Sequence, residues 1–261
     1  MAFMILRRAD RFTEASRLSP EESKLLFATL KPSASALRLT IRDGQATVTP
    51  GPFEPVEMIA GFAIVDVPTR QEALDWLARW PVTDHEIELE IRESGCHAGC
   101  APVLAAGDPD ADGKLFAILL RSSADLEAET PVPQHRLDTL AASNGAEMAA
   151  GVLLAGDGLR TSARGARVKL STQARTIIDG PFTEIKEMIA GFWLIRVASM
   201  DDALAWARRN PYPTGPDVDV EIRELYLTSQ DIAPFTPDLE ADEQRIRALQ
   251  LEAGMRAHFT A

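Results

Sequence analysis

Cysteine and histidine are scarce in this chain, two and four respectively among 261 residues. A structural zinc site takes four such ligands at fixed spacing. Cys96 and Cys100 flank His97 in the middle of the chain, but no second pair of ligands lies nearby, so no metal and no cofactor is expected. Basic residues are also in the minority, 27 against 39 acidic ones, for a net charge of −12. A polyanion partner needs a concentrated cationic surface, and the Lys and Arg residues here are scattered, which argues against nucleic acid. No apolar run is long enough to span a bilayer, so no membrane partner is expected. The opening Met1-Ala2-Phe3-Met4-Ile5-Leu6-Arg7-Arg8 is too short, and charged on the wrong side, for a signal peptide. It reads as a first strand, and a cytoplasmic location is the expectation. What the composition does supply is core: 46% hydrophobic residues with 25% charged is the balance of a globular protein.

The chain says nearly the same thing twice. Gly51-Pro52-Phe53 and Glu57-Met58-Ile59-Ala60-Gly61-Phe62 return as Gly180-Pro181-Phe182 and Glu187-Met188-Ile189-Ala190-Gly191-Phe192. Farther on, Ala73-Leu74 and Trp76 return as Ala203-Leu204 and Trp206, and Glu90-Ile91-Arg92-Glu93 as Glu221-Ile222-Arg223-Glu224. A correspondence held this long means two copies of one domain rather than a short solenoid repeat. Residues 1–96 then form a degenerate copy with a shortened first helix, and 97–113 a small, acidic linker. Residues 114–228 form an intact copy and 229–261 a helical tail. Asp108-Pro109-Asp110-Ala111-Asp112-Gly113 opens like a calcium loop, but Leu119 stands where the closing carboxylate belongs, so the stretch reads as a solvated acidic turn.

Copy two has the clearer element order. A buried strand at Leu115–Leu120 precedes a helix from Pro133 to Met148, on which Leu137, Leu140 and Ala141 recur at helical spacing. Strands follow at Ala166–Ser171 and Thr176–Ile178, then Ile189–Val197, which is apolar on both faces and so doubly covered. Ser199 caps the next helix, and Asp217–Leu225 alternates strictly, with Val218, Val220 and Ile222 on one face. The order is a split βαβ, ferredoxin-like α+β arrangement with helices on one sheet face. Copy one repeats the second half, with Thr69 and Glu72 as a capping box. Its first half is cut to a helix stub near Ser19-Pro20-Glu21-Glu22, with no counterpart expected for Gly151–Asp157. In the tail, Thr236–Phe259 reads as a single-stripe helix, carrying Ile246 and Leu249, that docks on copy one in place of the lost helix.

Asp179-Gly180-Pro181-Phe182-Thr183-Glu184 with Lys186-Glu187-Met188-Ile189-Ala190-Gly191-Phe192-Trp193, preceded by Ala150–Leu159, resembles the signature of the YCII-related, or DGPF-domain, family. The resemblance covers nearly all of copy two and, more weakly, most of copy one. It implies ferredoxin-like domains that pair sheet to sheet as a dimeric α/β barrel. A tandem chain can make that pair internally, as a monomer with an internal pseudo-dimer, or it can pair as a homodimer. The family's YCII branch carries a His–Asp pair proposed as catalytic. One relative is similar to a dehydrochlorinase of chlorinated hydroquinones, and other members occur beside sigma-factor-type regulators.

On that resemblance His135, early in the first helix of copy two, falls where the family's histidine would. Asp157 and Asp179 are the available acids. A His beside a carboxylate can exchange protons at neutral pH. Equally, Asp179 precedes Gly-Pro, where an Asp often hydrogen-bonds its own turn, and His135 can be a solvated residue of a first helical turn. Trp193 is either core packing or a ligand platform. Glu221 and Arg223 face the space between sheets or water; Arg223 either holds a carboxylate or phenolate or pairs with its Glu neighbours. Copy one has Pro50 in place of Asp179 and Ala63 in place of Trp193. Two readings follow: a small-molecule site in the cleft between the sheets, with acid/base catalysis as one form of it, or a non-catalytic regulatory module that binds protein.

Overall fold

The alternation of side chains along β1 (Ala2–Arg8) sets the layering of the protein. Phe3 and Ile5 point to one side and Met4 and Leu6 to the other, and all four are at most 1% exposed. A strand buried on both faces must lie inside a stack of layers. The computed structural model describes residues 2–9, 26, 28–54, 58–82, 86–100, 102–104 and 112–226. Copy one contributes β2 (Ala28–Thr29), β3 (Leu37–Arg42), β4 (Gln45–Pro50), β5 (Ile59–Asp66), helix α1 (Arg70–Trp76) and β6 (Ile87–Glu93). A two-residue strand, β7 (Val103–Leu104), lies in the connection. Copy two contributes β8 (Lys114–Arg121), α2 (Ala124–Glu127), α3 (Gln134–Ala149), β9 (Leu153–Gly158), β10 (Ala166–Leu170), β11 (Arg175–Asp179), β12 (Ile189–Val197), α4 (Met200–Arg209) and β13 (Val218–Glu224). The caps read from the sequence form: Thr69 and Ser199 each accept a backbone N–H three residues on, from Glu72 and Asp202.

The strands make two antiparallel sheets, and neither sheet belongs to one copy. The first runs β11-β10-β6-β1-β5-β2 and the second β4-β3-β13-β8-β12-β9-β7. The hairpin β3–β4 of copy one pairs with β13 of copy two, placing Leu39 opposite Val220. In return β10–β11 of copy two pairs with β6 of copy one, placing Val168 opposite Leu89. Each copy thus completes the sheet of the other.

Helix α1 and Trp80 cover the outer face of the first sheet, with Phe3, Ile5, Leu89 and Ile91 beneath them. Helices α3 and α4 cover the outer face of the second, over Phe116, Ile118, Trp193, Val220 and Ile222. The inner faces meet through Met4, Leu6, Ile59 and Phe62 from the first sheet and Ala117, Leu119, Phe192 and Leu194 from the second. The space between the sheets, where a ligand cleft was expected, is filled by these side chains.

Two further differences from the sequence reading concern copy one and the connection. Ala28 pairs opposite Phe62 as Asp157 pairs opposite Phe192, so β2 is the counterpart of β9 that the sequence hid. The connection, read as a loose linker, is tied down: Gly95 donates its N–H to the Gly158 carbonyl, Cys96 and Cys100 form a disulfide, and β7 pairs with β9. Asp108, Asp110, the Ser19–Glu22 stretch and the tail from 227 onward lie outside the described residues.

The repeated Gly-Pro-Phe has a structural reason. A Cβ on Gly51 would lie 1.8 Å from the Ser33 carbonyl oxygen, and one on Gly180 1.9 Å from that of Ser162, so only glycine fits. Both Gly–Pro bonds are cis. The serine hydroxyls then accept the N–H groups of Phe53 and Phe182, and each Phe ring lies under a guanidinium, Arg38 at 4.2 Å and Arg167 at 4.4 Å. The motif closes each exchanged hairpin onto the charged edge it serves.

Candidate functional site

The cavity with the most chemical character lies on the outer face of the second sheet, beneath α3. In β12, Phe192 faces the other sheet and Trp193 therefore faces the helices. Trp193 is paired across to Gly156 of β9, whose missing side chain leaves room above the indole: a Cβ there would sit 3.2 Å from Trp193 Cδ1. Gly158 leaves room of the same kind for the disulfide loop, since a Cβ would lie 2.9 Å from Cys96 Cα. His97 Nε2 donates to the Thr130 carbonyl at 2.8 Å, so the loop reaches from β9 across to the start of α3. Leu120, Leu126, Leu140 and Ala190 complete the apolar wall. The enclosed space is narrow, about 50 Å³, room for a few water-sized groups.

Its polar groups are few: Asp157, Asn144 and His97. Asp157 accepts from Ser94 Oγ at 2.6 Å and from the Gly158 N–H at 2.8 Å. Asn144 Oδ1, on α3, is buried without a hydrogen-bond partner, and Asn144 lines the cavity. An unmet buried acceptor is unfavourable by roughly 1–3 kcal/mol, so the site favours whatever brings it a donor. Trp193 is itself fixed by Tyr212, edge-on at 5.4 Å, and by Trp206 at 6.4 Å. Burial pushes the Tyr212 phenol up from its ordinary value.

Glu221 and Arg223 are elsewhere. Both are 1% exposed on the inner face, where Arg223 Nη1 donates to Glu221 Oε1 at 2.9 Å and its Nε donates to the Lys31 carbonyl at 3.0 Å. Glu221 also meets Arg38 from the exchanged hairpin. Copy one repeats the arrangement: Arg92 Nη1 donates to Glu90 at 3.2 Å and Nη2 to the Arg160 carbonyl at 2.6 Å, while Arg167 of the other hairpin meets Glu90. These are matched ion clusters at the two hairpin joints. Glu127 belongs to the copy-one joint. Burial acts to raise its pKa, but hydrogen bonds from Ser162 and Ser122 and the charge of Arg92 outweigh burial and hold the carboxyl below its ordinary value.

His135 and Asp179 stand on different halves of the molecule. His135 is exposed in the first turn of α3, which packs on β9 of the second sheet. Asp179 ends β11, at the edge of the first sheet, with its side chain 73% exposed and paired with Arg70 of α1. Of the residues singled out in the sequence, the structure brings Asp157 and Trp193 into one cavity. It sets Glu221 with Arg223 in an ion cluster and leaves His135 and Asp179 apart. Asn144 and the Cys96–Cys100 loop had no signal that separated them from a helix residue and two incidental thiols. No cluster of His, Cys, Asp and Glu among the described residues is arranged to hold a metal ion. No helix among them is long and apolar enough to cross a membrane.

Fold and site together define a duplicated α+β protein with two exchanged antiparallel sheets and a small cavity in one copy. A family model of the YCII-related domain matches residues 1–93 and again 115–226, and the chain belongs to that family. It is 40% identical over 63 residues to an uncharacterised protein of Rhizobium meliloti (strain 1021), a stretch that is 23% of this chain and 51% of that relative. The chain thus spans about half the length of this curated relative. A crystal structure described as that of an anthrone oxidase-like protein aligns over 86% of this chain and 90% of its own, at 10% identity and a TM-score of 0.34.

Proposed function

We propose that the protein binds a small molecule in the cavity beneath α3 of copy two, and that copy one serves as the scaffold completing the sheet. The two copies are read as ferredoxin-like units paired within one chain as a dimeric α/β barrel. The observation that carries the binding reading is one cavity lined by Asn144, whose buried Oδ1 has no partner, by Asp157 and by a Trp193 ring held at a fixed angle. Acceptors and an aromatic ring lining one small cavity select a flat apolar molecule that donates a hydrogen bond. Copy one has Ala28 at the register of Asp157 and Ala63 at that of Trp193, so the site is asymmetric. Saturation-transfer NMR on the full chain with phenol and anisole tests this. Phenol binds and anisole, lacking the donor, binds at least about tenfold more weakly; Asn144→Leu removes the preference. Equal binding of the two probes contradicts the reading.

A second reading, a non-catalytic protein-interaction module, is favoured by Ile177 and Ile178, 45% and 44% exposed on the edge strand β11. Ile177→Lys with Ile178→Lys abolishes partner capture if that reading holds and leaves phenol binding intact if the first does.

A further inference from the structure

A second cavity lies where the exchanged hairpin β3–β4 meets copy two, and the two copies differ there in an informative way. Trp80 and Asn210 occupy the same place after the repeated helices, since Trp76 corresponds to Trp206 and Pro81 to Pro211. In copy one Trp80 is 3% exposed and packs in a core that includes Leu170 of the hairpin beside it. In copy two Asn210 has replaced that large ring, and a groove of about 540 Å³ opens between Asn210, Tyr212 and Val218 on one side and Ile41 of β3 on the other. That is the size of a small-molecule site.

The groove is cationic. Arg136 of α3 and Arg208 of α4 both line it, and no acidic residue is among its lining. Arg208 stands where copy one has Ala78, so charge and space arise together in one copy. Arg136 donates Nη1 to the Thr214 carbonyl at 3.3 Å, which leaves most of its donors uncommitted, and Arg208 makes no ion pair or hydrogen bond among the described residues. Gly215 gives Arg136 its position: a Cβ there would lie 2.7 Å from Arg136 Nη1. Asn210 is 8% exposed, and its side-chain amide lies against the Tyr212 hydroxyl, which donates to the Ala207 carbonyl at 3.0 Å. Two guanidinium groups with donors to spare on one groove are an arrangement for an anionic ligand.

We propose that this groove is a binding site for a small organic carboxylate. The carboxylate lies between Arg208 and Arg136, and its apolar body lies against Ile41, Tyr212 and Val218. It is separate from the cavity beneath α3, whose acceptors repel an anion.

Calorimetric titration of the full chain with benzoate tests the site, with benzamide and inorganic phosphate as matched probes. Benzoate binds saturably, and benzamide and phosphate each bind at least about tenfold more weakly, because one lacks the charge and the other the apolar body. Arg208→Ala, an exposed substitution that leaves the core untouched, weakens benzoate at least about tenfold. Asn210→Trp, which restores the ring of the other copy, abolishes binding, with circular dichroism reporting whether that variant folds. Four results each overturn the proposal: no benzoate binding up to about 20 mM, equal affinity for benzamide, phosphate binding as tight as benzoate, or benzoate affinity unchanged in Arg208→Ala.

Discussion

Phe62 and Phe192, the same residue of the repeat in its two copies, meet each other with ring centroids 5.2 Å apart and planes tilted by 50°. Each is at most 1% exposed. The contact sits in the apolar layer between the sheets, so the duplicated sequence folds as a pair about this point. Phe192→Ala leaves a void that neither sheet can close alone. Equilibrium urea unfolding should show a loss of about 3–5 kcal/mol. A loss below about 1 kcal/mol would mean that the sheets do not depend on this layer.

Arg92 and Arg223 should prove structural to the same degree. Each is buried against a Glu two residues back and a carbonyl from the chain leading into a hairpin: that of Arg160 for Arg92, that of Lys31 for Arg223. Removing either takes one guanidinium from a buried carboxylate that keeps others, Arg38 and Arg121 for Glu221 and Arg8 and Arg167 for Glu90, and should destabilise by roughly 1.5–3 kcal/mol through the lost charge-assisted bonds. The double variant Glu221→Leu with Arg223→Met should lose less than the sum of the two single variants, because the Glu221–Arg223 pair is lost only once. Additive losses in chemical unfolding would contradict that.

The exchanged hairpins predict that neither copy stands alone. A protease site placed in the 105–111 segment, once cut, should leave the two fragments together on a sizing column. Expressed without residues 114–261, copy one lacks β10 and β11, and its β6 presents an open edge. It should aggregate or stay unfolded. Two separately folded monomeric fragments would refute the exchange.

Glu127 gives the fold an acid limit. Its folded pKa is below the ordinary 4.5, so the folded state binds its proton less readily than the unfolded chain does. The stabilisation is present above the unfolded value and is lost as pH falls through the folded one. Glu127→Gln should lower stability at neutral pH and flatten its fall below about pH 4.5. A melting-temperature profile parallel to that of the parent across this range would show that Glu127 makes no such contribution.

Strands β12 and β13 and the capped helices α1 and α4 could be read directly, since burial periodicity and a Ser or Thr ahead of an acid are local signals. The hairpin exchange could not. Alternation in Ala166–Leu170 says which face is buried, but β6 and β13 carry the same Glu-Ile-Arg-Glu and so offer nearly the same edge. The filled space between the sheets was equally hidden, because a row of Glu and Arg reads as a solvated face until exchanged Arg38 and Arg167 arrive to neutralise it. Asp157 and Trp193 stood out by type and place. Asn144, one of many polar residues along α3, acquires meaning only when its oxygen is found buried and unmet.

The central claim is that copy two binds a ligand beneath α3 and copy one does not. A phenol titration of the full chain, followed by two-dimensional amide NMR, tests it most directly. The account predicts saturable shifts at Asn144, Gly156, Gly158 and Gly191, the residues around the cavity, with no change at the corresponding Ala28 and Gly61. Shifts spread equally over both copies, confined to the layer around Phe62 and Phe192, or absent altogether would contradict it.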